Sequence, residues 1–125
     1  MIQNILSNRD INVISIGCPC KIIFKKEYNT IINLHGGLTP WQKGKFSPIK
    51  SMAKENSYLG ATLHEIEEEF DSGKVLSQKH IKNTFTNEVE AYIAILNIAS
   101  RLLDQYFEGK VYILPKHVIN KMKKF

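Results

Sequence analysis

Apolar residues form short continuous runs in the first two thirds of the chain and recur at helical spacing after that. The runs at 11–16 and 30–34 are rich in β-branched residues and are each followed by a polar or glycine-containing segment, which predicts two buried strands. Longer runs at 58–67 and 74–80 predict a third and a fourth strand, joined by a turn. This pattern predicts a sheet built mainly from the first eighty residues.

A long helix is predicted after the fourth strand. Thr86 and Asn87 can cap its start, Glu90 stands in the capping-box position relative to Asn87, and Gly109 ends it. Seven apolar residues recur at helical spacing and predict the face that lies on the sheet: Val89, Tyr92, Ile93, Leu96, Ala99, Leu103 and Tyr106.

Shorter elements complete the pattern. Ser47 followed by Pro48 predicts the start of a helix that reaches about Glu55, and a short turn or helix is expected at 25–28. A long loop is expected at 36–46, and the tail at 111–125 predicts a short strand and a basic helix. Strands and helices that alternate in this way indicate the α/β class.

Composition narrows the class of protein. The 125 residues are 43% hydrophobic and 23% charged, as expected for one small globular domain. The apolar runs are too short to span a bilayer and the first residues lack a secretory pattern, which predicts a cytoplasmic protein. Cys18 and Cys20 match neither a zinc knuckle nor the C-x-x-C redox motif, so we interpret them as reduced thiols in a turn.

The net charge of +5 is unevenly distributed. Residues 1–62 carry eight Lys and Arg against three acidic residues, whereas residues 63–125 carry nine of each. The basic excess near Lys43, Lys45 and Lys50 is either a solvated helix face or an attractive field for an anionic substrate. Because no stacking aromatic residues alternate with these lysines, nucleic-acid binding is not expected.

Three polar residues mark candidate chemistry. Asn33, His35 and Asp71 follow or end apolar runs, and each stands close to glycine or proline. We expect them at the carboxyl edge of a parallel sheet, where open α/β folds bind ligands. An amide, an imidazole and a carboxylate together can stabilise an oxyanion and move a proton. The four histidines share no metal-ligand spacing, so no metal site is predicted.

The chain resembles the formyltransferases that use 10-formyltetrahydrofolate. The family pattern is Asn-x-His at a strand end, a Leu-x-Pro loop with a later glycine, and a distant Asp-x-Gly. The matching residues here are Asn33, His35, Leu38, Pro40, Gly44, Asp71 and Gly73, and the segment YLGATLHEIEEEFDSGKVLSQ resembles the family's strand, turn and strand. The resemblance covers about 11–108 and implies a Rossmann-like α/β fold, with a mixed sheet and flanking helices.

The resemblance also implies roles for individual residues. Asn33, His35 and Asp71 take the catalytic positions. The formyl donor, 10-formyltetrahydrofolate, is expected against the backbone of two loops, which contain Gly17, Cys18, Pro19, Cys20, Glu69 and Phe70. For His64, two interpretations stay open: a supporting role behind the catalytic residues, or packing alone. Gly36-Gly37 is similar to a variant found in members linked to sugar or uncharacterised acceptors, so the expected acceptor is a primary amine, with an amino sugar as one candidate.

Family catalytic domains begin with several strands and helices that precede the equivalent of Ile11. We therefore interpret 1–125 as a single partial catalytic domain, truncated at the N-terminus, with 11–16 as a sheet edge. Such an apolar edge invites association, so the chain is either a fragment, a split enzyme that needs a second chain to supply the missing half, or a self-associating remnant.

Two other functions stay open at this point. A hydrolase of formyltetrahydrofolate would use the same three residues with water in place of the amine. A non-catalytic binding or interaction remnant would keep the motif without an acceptor pocket.

Overall fold

The computed structural model describes residues 13–16, 31–42, 56–66 and 74–123. Four strands lie within these ranges, in the order β1 (Val13–Ile16), β2 (Ile31–His35), β3 (Tyr58–Glu65) and β4 (Val75–Lys82). Two helices follow, α1 (Glu88–Phe107) and α2 (Lys116–Ile119). The four predicted strands and the long helix are confirmed within these ranges, while the helices expected at 25–28 and 47–55 lie outside the described residues.

The four strands form one sheet in the order β1-β2-β3-β4. β1 and β2 are parallel, whereas β2 with β3 and β3 with β4 are antiparallel. The sheet is therefore mixed, as the resemblance implies. β1 is at one edge of the described sheet and β4 is at the other.

The two faces of the sheet differ in chemistry because side chains alternate along each strand. On one face, β2 and β3 present buried apolar residues: Ile32, Leu34, Leu59, Ala61 and Leu63. On the other face, the same strands present Asn33, His35, Thr62 and His64, which are also buried. One sheet thus carries a hydrophobic core on one side and a buried polar surface on the other.

Helix α1 covers the apolar face. Its buried residues are Ala91, Ile95, Ala99 and Leu102, which pack in two clusters with the apolar residues of β2 and β3. The Asn87 side chain accepts a hydrogen bond from the Glu90 backbone N–H at 2.9 Å, so the predicted N-cap is confirmed. Gly109 has φ +86°, the left-handed conformation that glycine adopts readily just after a helix.

The predicted face of α1 is wrong in part. Val89, Ile93 and Leu96 are exposed by 68%, 55% and 63%, and of the seven predicted residues only Ala99 is fully buried. Leu103 and Tyr106 are partly buried at the margin of the core. The helix has two apolar stripes. The stripe that contains Ala91 and Ala99 faces the sheet, because these small side chains let the helix approach the strands closely.

The polar face is covered by a loop and by the C-terminal segment. Leu38 of the loop packs with Tyr58, Leu114 and Val118 in a separate small cluster. This packing depends on Gly60, since a Cβ at that position would lie 2.7 Å from Leu38 Cδ2 and would also overlap the backbone of β4.

The tail differs from its prediction in one respect. Residues 110–115 do not form a strand, although Tyr112 contacts β4 by accepting a hydrogen bond from the Gln78 N–H at 2.9 Å. The predicted C-terminal helix is confirmed as the single turn α2. Neither helix in the described residues combines the length and the hydropathy that a membrane span requires.

Candidate active site

Asn33 and His35 lie near the end of β2 and point to the polar face of the sheet. Asn33 is 9% exposed and His35 is 8% exposed. In the antiparallel register with β3, Asn33 is opposite His64 and His35 is opposite Thr62. The structure therefore brings two of the three predicted catalytic side chains together, and it adds His64 to them.

A chain of hydrogen bonds orients the Asn33 amide. His64 Nδ1 lies 2.8 Å from the Glu65 carbonyl oxygen, which can only accept, so Nδ1 carries the hydrogen. His64 Nε2 then accepts a hydrogen bond from Asn33 Nδ2, at 3.2 Å. This arrangement directs the amide nitrogen of Asn33 toward β3 and its oxygen away from it.

The side-chain oxygen of Asn33, Oδ1, is buried and has no hydrogen-bond partner among the described residues. A buried polar atom without a partner costs about 1–3 kcal/mol, and among the described residues only Asn83 has another side-chain atom of this kind. The amide also has a second N–H bond besides the one given to His64. Asn33 can therefore both accept from and donate to a bound molecule.

His35 is held by the loop that follows it. Its Nε2 atom lies 2.6 Å from the carbonyl oxygen of Gln42, so Nε2 is the donor. The rings of His35 and His64 are adjacent in an edge-to-face arrangement, with centroids 6.4 Å apart. The two imidazoles and the amide form one compact group on the polar face.

Two buried side chains of the sheet fix the loop at 36–42. Thr62 Oγ1 donates to the Gly37 carbonyl at 2.7 Å, and Gln78 Nε2 donates to the Thr39 carbonyl at 2.7 Å. Gln42, within the loop, adds a bond from its side-chain amide to the Tyr58 carbonyl at 2.9 Å. The sequence gives no indication of Thr62, Gln78 or Gln42, because isolated polar residues carry no signal that they are buried.

The remaining predicted site residues lie outside the described residues: Asp71, Gly17, Cys18, Pro19, Cys20, Glu69 and Phe70. The expectation of a single carboxyl edge is wrong for β3, which runs antiparallel to β2. The end of β3 that leads to Asp71 lies beside the start of β2, where Glu65 is opposite Ile32. The approach of Asp71 to the other two residues stays a prediction.

A second group of rings lies on the polar face at Tyr58. The centroids of Tyr58 and His80 are 5.5 Å apart, and those of His80 and His117 are 6.4 Å apart. Burial lowers the pKa of His80 below its usual value, and the nearby His117 lowers it further. No group of three or more metal-binding side chains occurs in the described part of the chain.

The family model for formyl transferases matches residues 19–103, which include Asn33, His35 and the strands that hold them. This chain belongs to the formyl transferase family. The match covers more than half of the chain, and it agrees with the resemblance carried by the Asn-x-His and Asp-x-Gly motifs.

Similar proteins include dTDP-4-amino-4,6-dideoxyglucose formyltransferases. The protein from Mycobacterium bovis is 24% identical over 79 residues, which is 62% of this chain and 33% of the relative. The chain thus spans about a third of the length of the curated relatives it matches.

Solved structures share the fold. A sugar N-formyltransferase from a Shewanella species has a TM-score of 0.68 at 23% identity, and the alignment covers 92% of this chain and 49% of that one. A phosphoribosylglycinamide formyltransferase from Campylobacter jejuni has a TM-score of 0.66 at 22% identity, with 86% and 57% covered. The Rossmann-like formyltransferase fold is therefore confirmed for this chain, which spans about half of each.

Proposed function

We propose that this chain takes part in the transfer of a formyl group from 10-formyltetrahydrofolate to a primary amine. Asn33, His35 and Asp71 carry the reaction. The observation that carries the proposal is the buried pair of Asn33 and His35, with the amide of Asn33 oriented by His64.

The reaction requires charge stabilisation at one oxygen. When the amine nitrogen bonds to the formyl carbon, the formyl oxygen becomes negative, and it needs hydrogen-bond donors that are already in place. The N–H of Asn33 that is not given to His64 serves as one donor. Because the amide is held by a second side chain, little reorganisation is needed during the reaction.

The reaction also requires proton movement. The attacking amine loses a proton, the bond from the formyl carbon to the folate nitrogen breaks, and that nitrogen gains a proton. His35 moves the proton, or donates to the oxyanion when it is protonated. Asp71 accepts the amine proton, directly or through a water molecule.

The formyl donor binds against backbone groups of two loops. One loop contains Gly17, Cys18, Pro19 and Cys20, and the other contains Glu69 and Phe70. The acceptor is a small molecule with a primary amine on a sugar. This choice follows from the similar proteins from Mycobacterium bovis and Shewanella, which are a dTDP-4-amino-4,6-dideoxyglucose formyltransferase and a sugar N-formyltransferase.

Residues 1–125 act as one partial catalytic domain in the cytoplasm. Further strands add to the sheet at the outer side of β1, supplied by another part of a longer protein, by a second chain or by another copy of this one. β1 is an edge of the described sheet, and parallel strands usually lie inside a sheet that is covered on both faces.

An assay with matched variants tests the function. The chain is mixed with 10-formyltetrahydrofolate and dTDP-4-amino-4,6-dideoxyglucose, and formylated product is followed by mass spectrometry. Loss of one oxyanion donor costs about 3–4 kcal/mol, so Asn33→Ala should lower kcat by about a hundredfold or more. Asn97→Ala, which changes an exposed asparagine of α1, serves as the control.

The same assay separates the alternatives. Formate release in the absence of amine identifies a hydrolase. Calorimetry with a reduced folate, on the wild type and on Asp71→Asn, reports donor binding without turnover. If the chain neither binds the folate nor forms product with the amino sugar, the proposed transfer is wrong and a non-catalytic role remains.

A further inference from the structure

Gln42 is the most completely engaged polar residue near the candidate site. It is 1% exposed, and its backbone N–H donates to the Leu38 carbonyl at 2.8 Å. Its side-chain oxygen accepts from the Leu38 N–H at 2.9 Å, and its side-chain nitrogen donates to the Tyr58 carbonyl at 2.9 Å. These three bonds close the loop on itself and fasten it to β3.

The backbone carbonyl of Gln42 is fixed in space as a result. This carbonyl accepts the hydrogen bond from His35 Nε2 at 2.6 Å. Because a carbonyl oxygen has no hydrogen to give, the contact requires the hydrogen of a neutral His35 to be on Nε2. The same contact sets the plane of the ring, since a hydrogen bond is strongest when it is nearly linear.

We infer that Gln42 is a positioning residue: its carbonyl holds His35 in the Nε2–H tautomer and in a fixed ring orientation. The inference rests on the function proposed above for its effect on turnover. In histidine sites generally, the hydrogen bond made by one ring nitrogen decides whether the other nitrogen is protonated. The contact with Gln42 therefore determines which nitrogen of His35 has the lone pair during proton movement.

A second buried amide provides a matched control. Gln78 Nε2 donates to the Thr39 carbonyl at 2.7 Å and contacts Thr62 Oγ1 at 3.0 Å, so Gln78 also fastens the loop from the sheet. None of the hydrogen bonds described for Gln78 involves His35. If Gln42 were only a structural fastener, replacing either amide should have the same consequences.

The test is nuclear magnetic resonance on the full chain, labelled with ¹⁵N at histidine, in mildly alkaline solution without donor or amine. In the wild type, His35 Nε2 should show the chemical shift of a protonated nitrogen and Nδ1 that of an unprotonated one. In Gln42→Met, which keeps side-chain length without the hydrogen bonds, the two shifts should move toward each other. In Gln78→Met the wild-type pattern should remain.

Turnover provides the second measurement. A displaced catalytic group commonly loses an order of magnitude or more in rate, so Gln42→Met should lower kcat at least about tenfold with KM for the donor within about twofold. Gln78→Met should lower kcat by less than about threefold.

The outcomes are distinct. Protonation on Nδ1 in the wild type overturns the inference even if Gln42→Met fails to fold. An unchanged tautomer in a folded Gln42→Met, or an equal change in Gln78→Met, overturns it as well. Because the tautomer is measured without substrates, failure of formyl transfer would leave this result standing, and active wild type with the other tautomer would refute this inference alone.

Discussion

Asn33 illustrates how neighbours decide the role of a polar side chain. The Glu65 carbonyl fixes the hydrogen of His64 on Nδ1, and His64 in turn fixes the amide of Asn33. The Asn-x-His pattern predicted Asn33 and His35 as site residues, and the structure places both side chains buried on the same face of the sheet. Gln42 could not be predicted, because its importance arises from the backbone oxygen that it fixes and not from a recognisable motif.

His80 allows a prediction about pH. Its pKa is lowered first by burial and second by the charge of His117. The unfolded chain should therefore bind a proton at this site at higher pH than the folded chain. The contribution of His80 to stability is complete above the usual histidine pKa of about 6.5 and declines as the pH falls below it toward the folded-state value.

Titration of the His80 ring by nuclear magnetic resonance measures this shift directly. In His117→Gln the pKa of His80 should rise but stay below its usual value, because burial is the larger cause. In His117→Lys, which keeps a positive charge, it should stay low. If the pKa of His80 reached its usual value in His117→Gln, the charge of His117 and not burial would be the main cause of the shift.

At the scale of elements, α1 shows why periodicity alone could not identify the buried face. Val89, Ile93 and Leu96 are large apolar residues at helical spacing, yet they are exposed. The buried stripe contains Ala91 and Ala99, whose small side chains carry little hydrophobic signal but let the helix approach the strands closely. The start and end of the helix were predictable because caps depend on local chemistry, at Asn87 and Gly109.

Two isoleucines about half a helical turn apart test which face of α1 is buried. Ile95 is 3% exposed and Ile93 is 55% exposed. Replacement of a buried isoleucine by alanine lowers the free energy of unfolding by about 2–5 kcal/mol. A surface substitution changes it by about 0.5 kcal/mol or less. In urea unfolding, Ile95→Ala should therefore lower the free energy of unfolding strongly and Ile93→Ala should not. Equal losses would mean that Ile93 is covered in solution.

At the scale of the whole molecule, strand order and direction determine what the sheet exposes. The presence of four strands was predictable from apolar runs, but the antiparallel direction of β3 was not, since the runs carry no information about direction. That direction places the end of β3 beside Ile32 instead of beside the end of β2. The strand order leaves β1, which is parallel to β2, at the edge of the described sheet.

β1 is an edge strand of the described sheet, and we predict that the chain associates through it. Backbone groups on the outer side of an edge strand are available to pair with another strand. In sedimentation velocity, the apparent mass of the chain should rise with concentration, and hydrogen exchange of the β1 amides should slow in parallel. Leu96→Lys, on the exposed stripe of α1, should change neither result. A chain that stays monomeric, or that becomes monomeric only in Leu96→Lys, would contradict pairing through β1.

Gly60 lies far from the reactive groups in sequence but affects them through the loop. The absence of a side chain there lets Leu38 settle on the sheet, and Leu38 is bonded twice to Gln42, whose carbonyl meets His35. A methyl group at this strand position would overlap the backbone of β4 and displace Leu38, so the loop and the Gln42 oxygen would shift relative to the imidazole. A residue without a side chain on one strand would then govern the orientation of an imidazole on the neighbouring strand.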